Sequence, residues 1–374
     1  MIYLDHAATT PPDESVIEAM NACMRAAWAN PGAAYAAAGA ARRALRQARC
    51  EVAALLNAAP EELLFTSGGT EGNNHALTLA AGGHVVLSAI EHASVLNAAR
   101  RQGCAVTLVA PDIDGVIQPE AVERALRPDT RLISVQFANN ETGVLQPVRE
   151  IGALARRRRV PFHCDAVQAF GHVPVDVRAC SIDLLTVSAH KCYGPRGIGG
   201  LFVRTGTPLL PMLAGGGQEF GLRAGTEDVA AAAGFGAAAM LARAELADHV
   251  RRERALMDGF IRRLCAVIPD CVILGGCAPR LPGIAAVLLP GLSSEQAIAE
   301  LDQMGIQVSG GAACAAQSRE VSHVYRAMGL DGADARCVLR VSIGRSTTAE
   351  DLCRAAEAIK QVYARRTGRI DVQD

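Results

Sequence analysis

The sequence predicts an α/β fold, a mostly parallel sheet covered by helices on both faces with a smaller second unit, and three observations predict it. Short β-rich runs alternate with helical patterns from about residue 40 to residue 205. Glycine-rich and polar segments follow several of those runs, at the edge where the strands end. From about residue 247 the texture changes, and a charged stretch (His249-Val250-Arg251-Arg252-Glu253-Arg254) leads into a unit with its own strands and helices.

The elements follow in order. The first eleven residues are too short for a domain and are expected to pack against the second unit. A helix over 41–57 carries Leu45, Cys50, Val52, Ala53 and Leu56 at helical spacing. A strand at 62–66 precedes a helix opening near Thr70. Strands near 84–88 and 105–109 lead to a helix near 119–126. A strand at 131–137, a helix at 148–158 and strands near 160–164, 183–187 and 199–203 complete the alternation. The division expected is a large domain over 12–246 and a small one made of 1–11 with 247–374.

Composition narrows the class. The chain has 374 residues, 50% of them apolar, with abundant alanine and glycine and few aromatics, so closely packed helices are expected. A formal charge of -1 gives no general pull toward nucleic acid or an anionic membrane. No apolar stretch reads as long enough to span a bilayer. Met1-Ile2-Tyr3-Leu4-Asp5-His6 has no basic or apolar leader, so a cytoplasmic location is expected. The 12 cysteines form no C-x-x-C pair, so neither a metal site nor a disulfide framework is expected. Most read as small buried hydrophobes in a reducing compartment. Arg156 to Arg159 read as a solvated helix end.

The lysines are more informative. There are only two, Lys191 and Lys360, among 37 basic residues. Lys360 falls in a helical pattern and reads as a surface charge, the ordinary role of a lone lysine. Lys191 instead ends the apolar run Asp183-Leu184-Leu185-Thr186-Val187, inside Ser188-Ala189-His190-Lys191-Cys192-Tyr193-Gly194-Pro195. Partial desolvation there would expose a nucleophilic amine suited to a Schiff base.

Other strand ends carry matching groups. Thr66-Ser67-Gly68-Gly69-Thr70-Glu71-Gly72-Asn73 offers close backbone approach and a helix N-terminus to an anion. Phe162-His163-Cys164-Asp165-Ala166-Val167-Gln168 puts a carboxylate where a pyridinium nitrogen could be paired. Gly215-Gly216-Gly217 and Arg223-Ala224-Gly225-Thr226 could add a hydroxyl to a phosphate. Each signal alone is weak. Ligands in open α/β sheets bind at the carboxyl ends of strands, and all of these groups fall there.

With Asn139-Asn140-Glu141-Thr142-Gly143 and Gly310-Gly311-Ala312-Ala313-Cys314, these segments make the chain resemble the class V aminotransferases that use pyridoxal 5'-phosphate. Within that family it looks like the NifS/IscS-type cysteine desulfurases, from Tyr3-Leu4-Asp5-His6-Ala7-Ala8-Thr9-Thr10 to Arg340-Val341-Ser342-Ile343-Gly344-Arg345. The resemblance implies the fold type I of pyridoxal-phosphate enzymes: a large domain with a mostly parallel seven-stranded sheet, a small α+β domain, and a homodimer. It implies L-cysteine as substrate and a sulfur-acceptor or scaffold protein as partner, with no membrane and no nucleic acid.

Roles follow from the same resemblance. Lys191 would hold the cofactor and move protons, Asp165 would pair with its ring nitrogen, and Gln168 would bond its ring oxygen. His92, in Ile90-Glu91-His92-Ala93-Ser94, would stack on the ring. Gly69, Thr70, Ser188 and His190 would face the phosphate, joined by Thr226 from the other subunit. Asn140 and Arg340 would meet the substrate, a guanidinium fork suiting its carboxylate. Cys314 would be the persulfide residue, in a small-residue loop over about 309–320 that carries sulfur outward. A thiol of ordinary pKa, about 8.5, is mostly protonated at neutral pH, so a neighbouring base or cation should activate it.

The chain departs from the family at several positions. Gly32-Ala33 and Tyr35 stand where serines and a histidine are frequent, Phe220 where arginine is common, and Ala315-Ala316 where hydroxylated residues are usual. These bear on acceptor choice (iron–sulfur assembly or another thiolation route) rather than on sulfur removal. Two other readings compete: a different pyridoxal-phosphate enzyme, such as a selenocysteine lyase or aminotransferase, and a non-catalytic scaffold of the same fold.

Overall fold

The computed structural model describes residues 1–311 and 321–370. In chain order the elements are β1 (Ile2–Tyr3), α1 (Glu14–Ala26), α2 (Ala38–Leu55), β2 (Leu63–Thr66), α3 (Gly69–Leu77), β3 (His84–Ser88), α4 (Ala93–Arg101) and β4 (Ala105–Val109). There follow α5 (Pro119–Ala125), β5 (Thr130–Ser134), α6 (Val148–Arg158), β6 (Phe162–Asp165), β7 (Leu184–Ser188), β8 (Gly199–Val203) and α7 (Val229–Val267). The chain continues through β9 (Val272–Ile273), β10 (Ile284–Leu288), α8 (Ser294–Gln303), β11 (Ile306–Gln307), α9 (His323–Ala327), β12 (Val338–Ser342) and α10 (Ala349–Thr367).

The main sheet has seven strands in the order β2-β8-β7-β6-β5-β3-β4, parallel except for β8, which runs against both of its neighbours. Apart from the edge strand β4, most of which is exposed, its strands read as largely apolar runs because both faces are covered. Side chains alternate between the two halves of the main core, one on each face, as a period of two requires. Leu63, Phe65, Val86, Ile133, Leu185, Val187 and Phe202 enter the core on one face. Leu64, Val85, Leu87, Leu132, Leu184, Leu201 and Val203 enter the core on the other, with Ala76 and Leu77 of α3 and Val95 and Ala98 of α4. The expected run 131–137 is paired in the ladder only to Ser134. Beyond it the chain stays attached to β6 through Val135 N–H to His163 O and Phe137 N–H to Asp165 O.

A second core lies under the antiparallel sheet β12-β10-β9 and the parallel pair β1-β11. Ile2 and Leu4 are buried in it with Ala285, Leu301, Val341 and Ile359, so the first residues do pack there. The two cores share one helix. α7 is 39 residues long, and its buried positions run from Val229 to Ala242 and resume at Glu253, Met257, Phe260 and Leu264. The charged stretch His249–Arg254 is therefore the middle of a continuous helix, which joins the cores.

Two expectations are revised here. α1 has no counterpart in the sequence reading, because only Val16 and Cys23 of its face are buried. α7 also contains a window long and apolar enough to cross a membrane, with half of it buried inside the protein. Its apolar character comes from alanine and glycine packed against α1 and α2, among them Gly236, whose absent Cβ would lie 2.6 Å from Ala48 Cα.

An ion pair fixes the approach to the first polar loop. Arg49 of α2 forks onto Glu219, with Nη1 to Oε2 at 2.7 Å and Nη2 to Oε1 at 2.6 Å. Glu219 Oε2 also accepts from Phe65 N–H at 2.7 Å. Phe220, the aromatic departure noted above, lies under the same guanidinium at 5.0 Å.

Candidate active site

The polar groups singled out in the sequence meet at the carboxyl edge of the parallel strands. β7 ends at Ser188, and a short 3-10 turn, Ala189–Lys191, turns Lys191 back toward the N-terminal segment. Lys191 Nζ donates to Ala7 O at 2.6 Å and to Ala8 O at 2.7 Å. Gln168 Nε2 donates to the same Ala7 O at 2.9 Å, so the two side chains share one acceptor. His190 Nδ1 is 3.1 Å from Thr9 Oγ1. Burial, then the charges of Lys191 and Arg196, lowers the His190 imidazole to about 4.

Asp165 ends β6 with its carboxylate held on both sides. Oδ1 accepts from Val167 N–H at 2.9 Å, and Oδ2 accepts from Asn73 Nδ2 at 2.7 Å. Asn73 Nδ2 also donates to Ser94 Oγ at 2.9 Å, and Ser94 Oγ lies 2.7 Å from His92 Nδ1. His92 caps α4, with its Nδ1 accepting from Ser94 N–H. That contact makes Nδ1 an acceptor, so the neutral ring carries its proton on Nε2. Burial lowers the His92 pKa first, with Lys191 and His323 adding to it and Asp165 opposing. A neutral imidazole is thus held through Nδ1, with its Nε2–H left as the donor.

The loop between β2 and α3 is shaped for close approach. Gly68 has φ of 152°, and a Cβ on Gly69 would stand 2.8 Å from Val167 Cγ2. Gly69 and Thr70 open α3, where the first-turn N–H groups have no intrahelical partner. Glu71 secures the loop, accepting from Ser67 N–H at 2.8 Å and pairing with Arg223 at 2.9 Å. Thr226, three residues beyond that arginine, is exposed.

Arg340 is in a different state from the one its expected role describes. It is only 1% exposed, with Nη2 on Asp5 Oδ1 at 2.7 Å and Nη1 on Asn140 O at 2.9 Å. Its Nε is buried and has no hydrogen-bond partner among the described residues. A carboxylate reaching this guanidinium has to share it with Asp5. Ser309, at the start of the expected persulfide loop, is paired with Arg340 through both backbone groups. Cys314 itself lies outside the described residues.

Several groups at the site were not singled out in the sequence. Asn73 and Ser94 link Asp165 to His92, and the carbonyls of Ala7 and Ala8 receive Lys191. Glu91, fully buried behind His92, is pushed up to about 8 by burial, and Asp165 adds to the shift. Asn73 and Ser94 stood inside quoted motifs. The carbonyls carry no sequence signal at all.

These residues fit pyridoxal 5'-phosphate. The donor set joins an amine for its carbonyl, a held carboxylate for its ring N–H, and a glycine-opened helix terminus with Ser188 and His190 for its phosphate. Among the described residues nothing lies within 4 Å of the absent Cβ of Gly68, which leaves the backbone open where the phosphate would approach.

The profile of the Aminotransferase class-V family matches residues 2–354. The chain is 38% identical over 370 residues to "Cysteine desulfurase IscS" of Dictyoglomus turgidum, covering 96% of this chain and 94% of the relative. It is 40% identical over 370 residues to "Cysteine desulfurase IscS" of Methanosarcina thermophila, covering 96% of this chain and 91% of the relative. Among solved structures, a NifS-like protein from Rickettsia africae superposes with a TM-score of 0.90 at 32% identity, covering 97% of this chain and 99% of that one. SspA in complex with cysteine superposes with a TM-score of 0.81 at 35% identity, covering 92% of this chain and 99% of that one.

Proposed function

The chain belongs to the class V aminotransferase family, among its cysteine desulfurases, and from that premise we propose how its residues remove sulfur from L-cysteine. The overall change is L-cysteine plus the Cys314 thiol giving L-alanine plus a Cys314 persulfide. The observation that carries this reading is the convergence of Lys191 and Gln168 on Ala7 O, beside an Asp165 carboxylate wired to His92.

When bound, pyridoxal 5'-phosphate supplies an aldehyde for the substrate amine and a ring that holds electrons released at the substrate carbon. Lys191 anchors it and moves protons with its freed amine. Asp165 holds the ring N–H, and Asn73 keeps that carboxylate aimed. His92, neutral with Nδ1 bonded to Ser94, would stack on the ring and assist proton transfer there as a donor through its Nε2–H. Gly69, Thr70, Ser188 and His190 bind the phosphate, with Thr226 reaching across from a second copy. Asn140 and Arg340 orient the substrate, Asp5 yielding part of the guanidinium to the substrate carboxylate. The Cys314 thiolate attacks the substrate sulfur and keeps it as the persulfide, which an acceptor protein for iron–sulfur assembly or another thiolation route then takes.

Asp165→Asn tests the centre of this arrangement. Asn73 Oδ1 is buried without a partner, so Asn73 can turn to accept from the new amide and the fold should survive. The cofactor should stay bound. Alanine production should fall by on the order of 100-fold, since a neutral amide no longer holds the ring proton. Near-normal production would show that Asp165 does not pair with the ring.

The working form is proposed to be a homodimer in a reducing compartment such as the cytoplasm, a placement that cell fractionation checks. Trp28, Tyr35, Phe220 and Leu210 are all more than half exposed, which supports a covered face. Light scattering should give twice the chain mass of 39.1 kDa. A monomer retaining full activity would remove Thr226 from the site.

A further inference from the structure

Behind the Lys191 turn lies a buried cluster with no part in the roles above. His172 follows Gln168 and Gly171 in the turns between β6 and β7, and His249 and Glu253 stand one helical turn apart on α7. One donor atom of each lies within 4.8 Å of one from each of the others. The side chains of His249 and Glu253 are 8% and 1% exposed.

The cluster leaves its own polar atoms unsatisfied. His249 Nε2 and Glu253 Oε1 stand 3.2 Å apart, yet both are buried without a hydrogen-bond partner, as is Glu253 Oε2. They are close but out of line for a hydrogen bond. A buried carboxylate left in that state is costly unless something else meets it. Two ligand atoms on one tetrahedral ion with bonds of about 2.0–2.1 Å stand about 3.3 Å apart, which the His249–Glu253 pair matches at 3.2 Å, with the three donor atoms all within 4.8 Å of one another.

The third member is prepared in the same way. His172 Nε2 lies 2.8 Å from Lys191 O. A carbonyl only accepts, so Nε2 carries the ring proton and Nδ1 keeps its lone pair. Metal-binding histidines commonly donate their second nitrogen to a carbonyl, which fixes tautomer and ring direction. A cavity of about 20 Å³ opens beside the cluster, lined by His6, Ala7, Gln168, His172, Glu253 and Ser342. It has room for one water as a fourth ligand. Two guanidiniums act on the cluster and both are engaged elsewhere: Arg345 is paired with Asp13 at 3.3 Å and Glu245 at 3.0 Å, and Arg252 donates to the carbonyls of Gly344 and Thr347.

We propose that His172, His249 and Glu253 form a binding site for a divalent transition cation of the Zn²⁺ type, completed by a water in the adjoining cavity. Two imidazoles and one carboxylate suit such an ion. Bound there, it ties the turn that follows Asp165 and Gln168 to the helix shared by both cores. Through His172 it also holds the carbonyl of Lys191. Its role is structural and positioning, exerted through His172 on the Lys191 carbonyl.

The test uses cofactor-loaded enzyme stripped with a chelator and titrated with Co²⁺ in the absence of cysteine. Wild type should take up stoichiometric Co²⁺ with the visible bands of a tetrahedral nitrogen–oxygen site and without thiolate charge-transfer absorption. Zn²⁺ should raise its melting temperature. Glu253→Gln and His249→Gln should each weaken Co²⁺ binding by more than about 100-fold, the upper end for loss of an outer partner. Both should keep the wild-type circular dichroism. Equal binding by wild type and variants, binding through thiolates, or no binding by wild type overturns the proposal. The wild-type titration decides even where a variant fails to fold.

Discussion

Lys191→Ala abolishes covalent attachment of pyridoxal phosphate, and with it turnover of cysteine, by about 10³-fold or more. The expectation rests on the chain's inventory of amines. Its other lysine, Lys360, lies on α10, where neighbouring Ile359 is buried in the second core. No lysine can take over. Loss of the side chain also leaves the carbonyls of Ala7 and Ala8 without its two hydrogen bonds, at 2.6 and 2.7 Å, so some local loosening accompanies the chemical loss. Lys191→Arg separates the two effects. Its guanidinium still offers donors to those carbonyls but forms no Schiff base, so it should restore stability and not activity. Borohydride reduction followed by mass analysis reads the attachment directly. A reducible link to protein in either variant removes Lys191 from its role.

The legibility of this fold follows the physics of its parts. The strands at 84–88 and 199–203 are legible in the sequence because burial on both faces demands unbroken apolar runs. α1 buries too little of itself to leave a pattern. α7 was divided in the reading because charge near His249–Arg254 resembles a boundary, whereas helical hydrogen bonding continues through it. The site divides similarly. Lys191, Asp165 and Gly69 stand at strand ends, where side-chain type and position both point to a ligand. Asn73 and Ser94 act through hydrogen bonds whose direction no spacing encodes. Arg340 could be named, but not its pairing with Asp5, because β12 and the N-terminal segment meet only in the folded chain. The His172, His249 and Glu253 cluster was hidden for the same reason, and only the helical interval between its last two members is local.

Cys314→Ser separates sulfur removal from cofactor chemistry. The variant should bind pyridoxal phosphate normally and take up cysteine, because Lys191, Asp165 and Arg340 are intact. It should form neither alanine nor sulfide, with rates at least about 10³-fold below wild type, since a serine hydroxyl is far too weak a nucleophile toward sulfur and cannot hold a persulfide. Cys164 and Cys192, which stand in the motifs of Asp165 and Lys191, are buried, and burial pushes the Cys192 thiol up to about 12, so neither offers a thiolate in its place. With radiolabelled cysteine, label should appear on Cys314 of the wild type, move to an acceptor protein when one is added, and be absent from the variant. Selenocysteine supplies the contrast, because selenium leaves more readily without a nucleophile. A serine variant that converts selenocysteine but not cysteine places Cys314 at the sulfur-abstraction step itself. Comparable alanine formation from cysteine by wild type and variant, at equal cofactor occupancy, makes the persulfide route wrong and leaves a lyase that expels its chalcogen unaided.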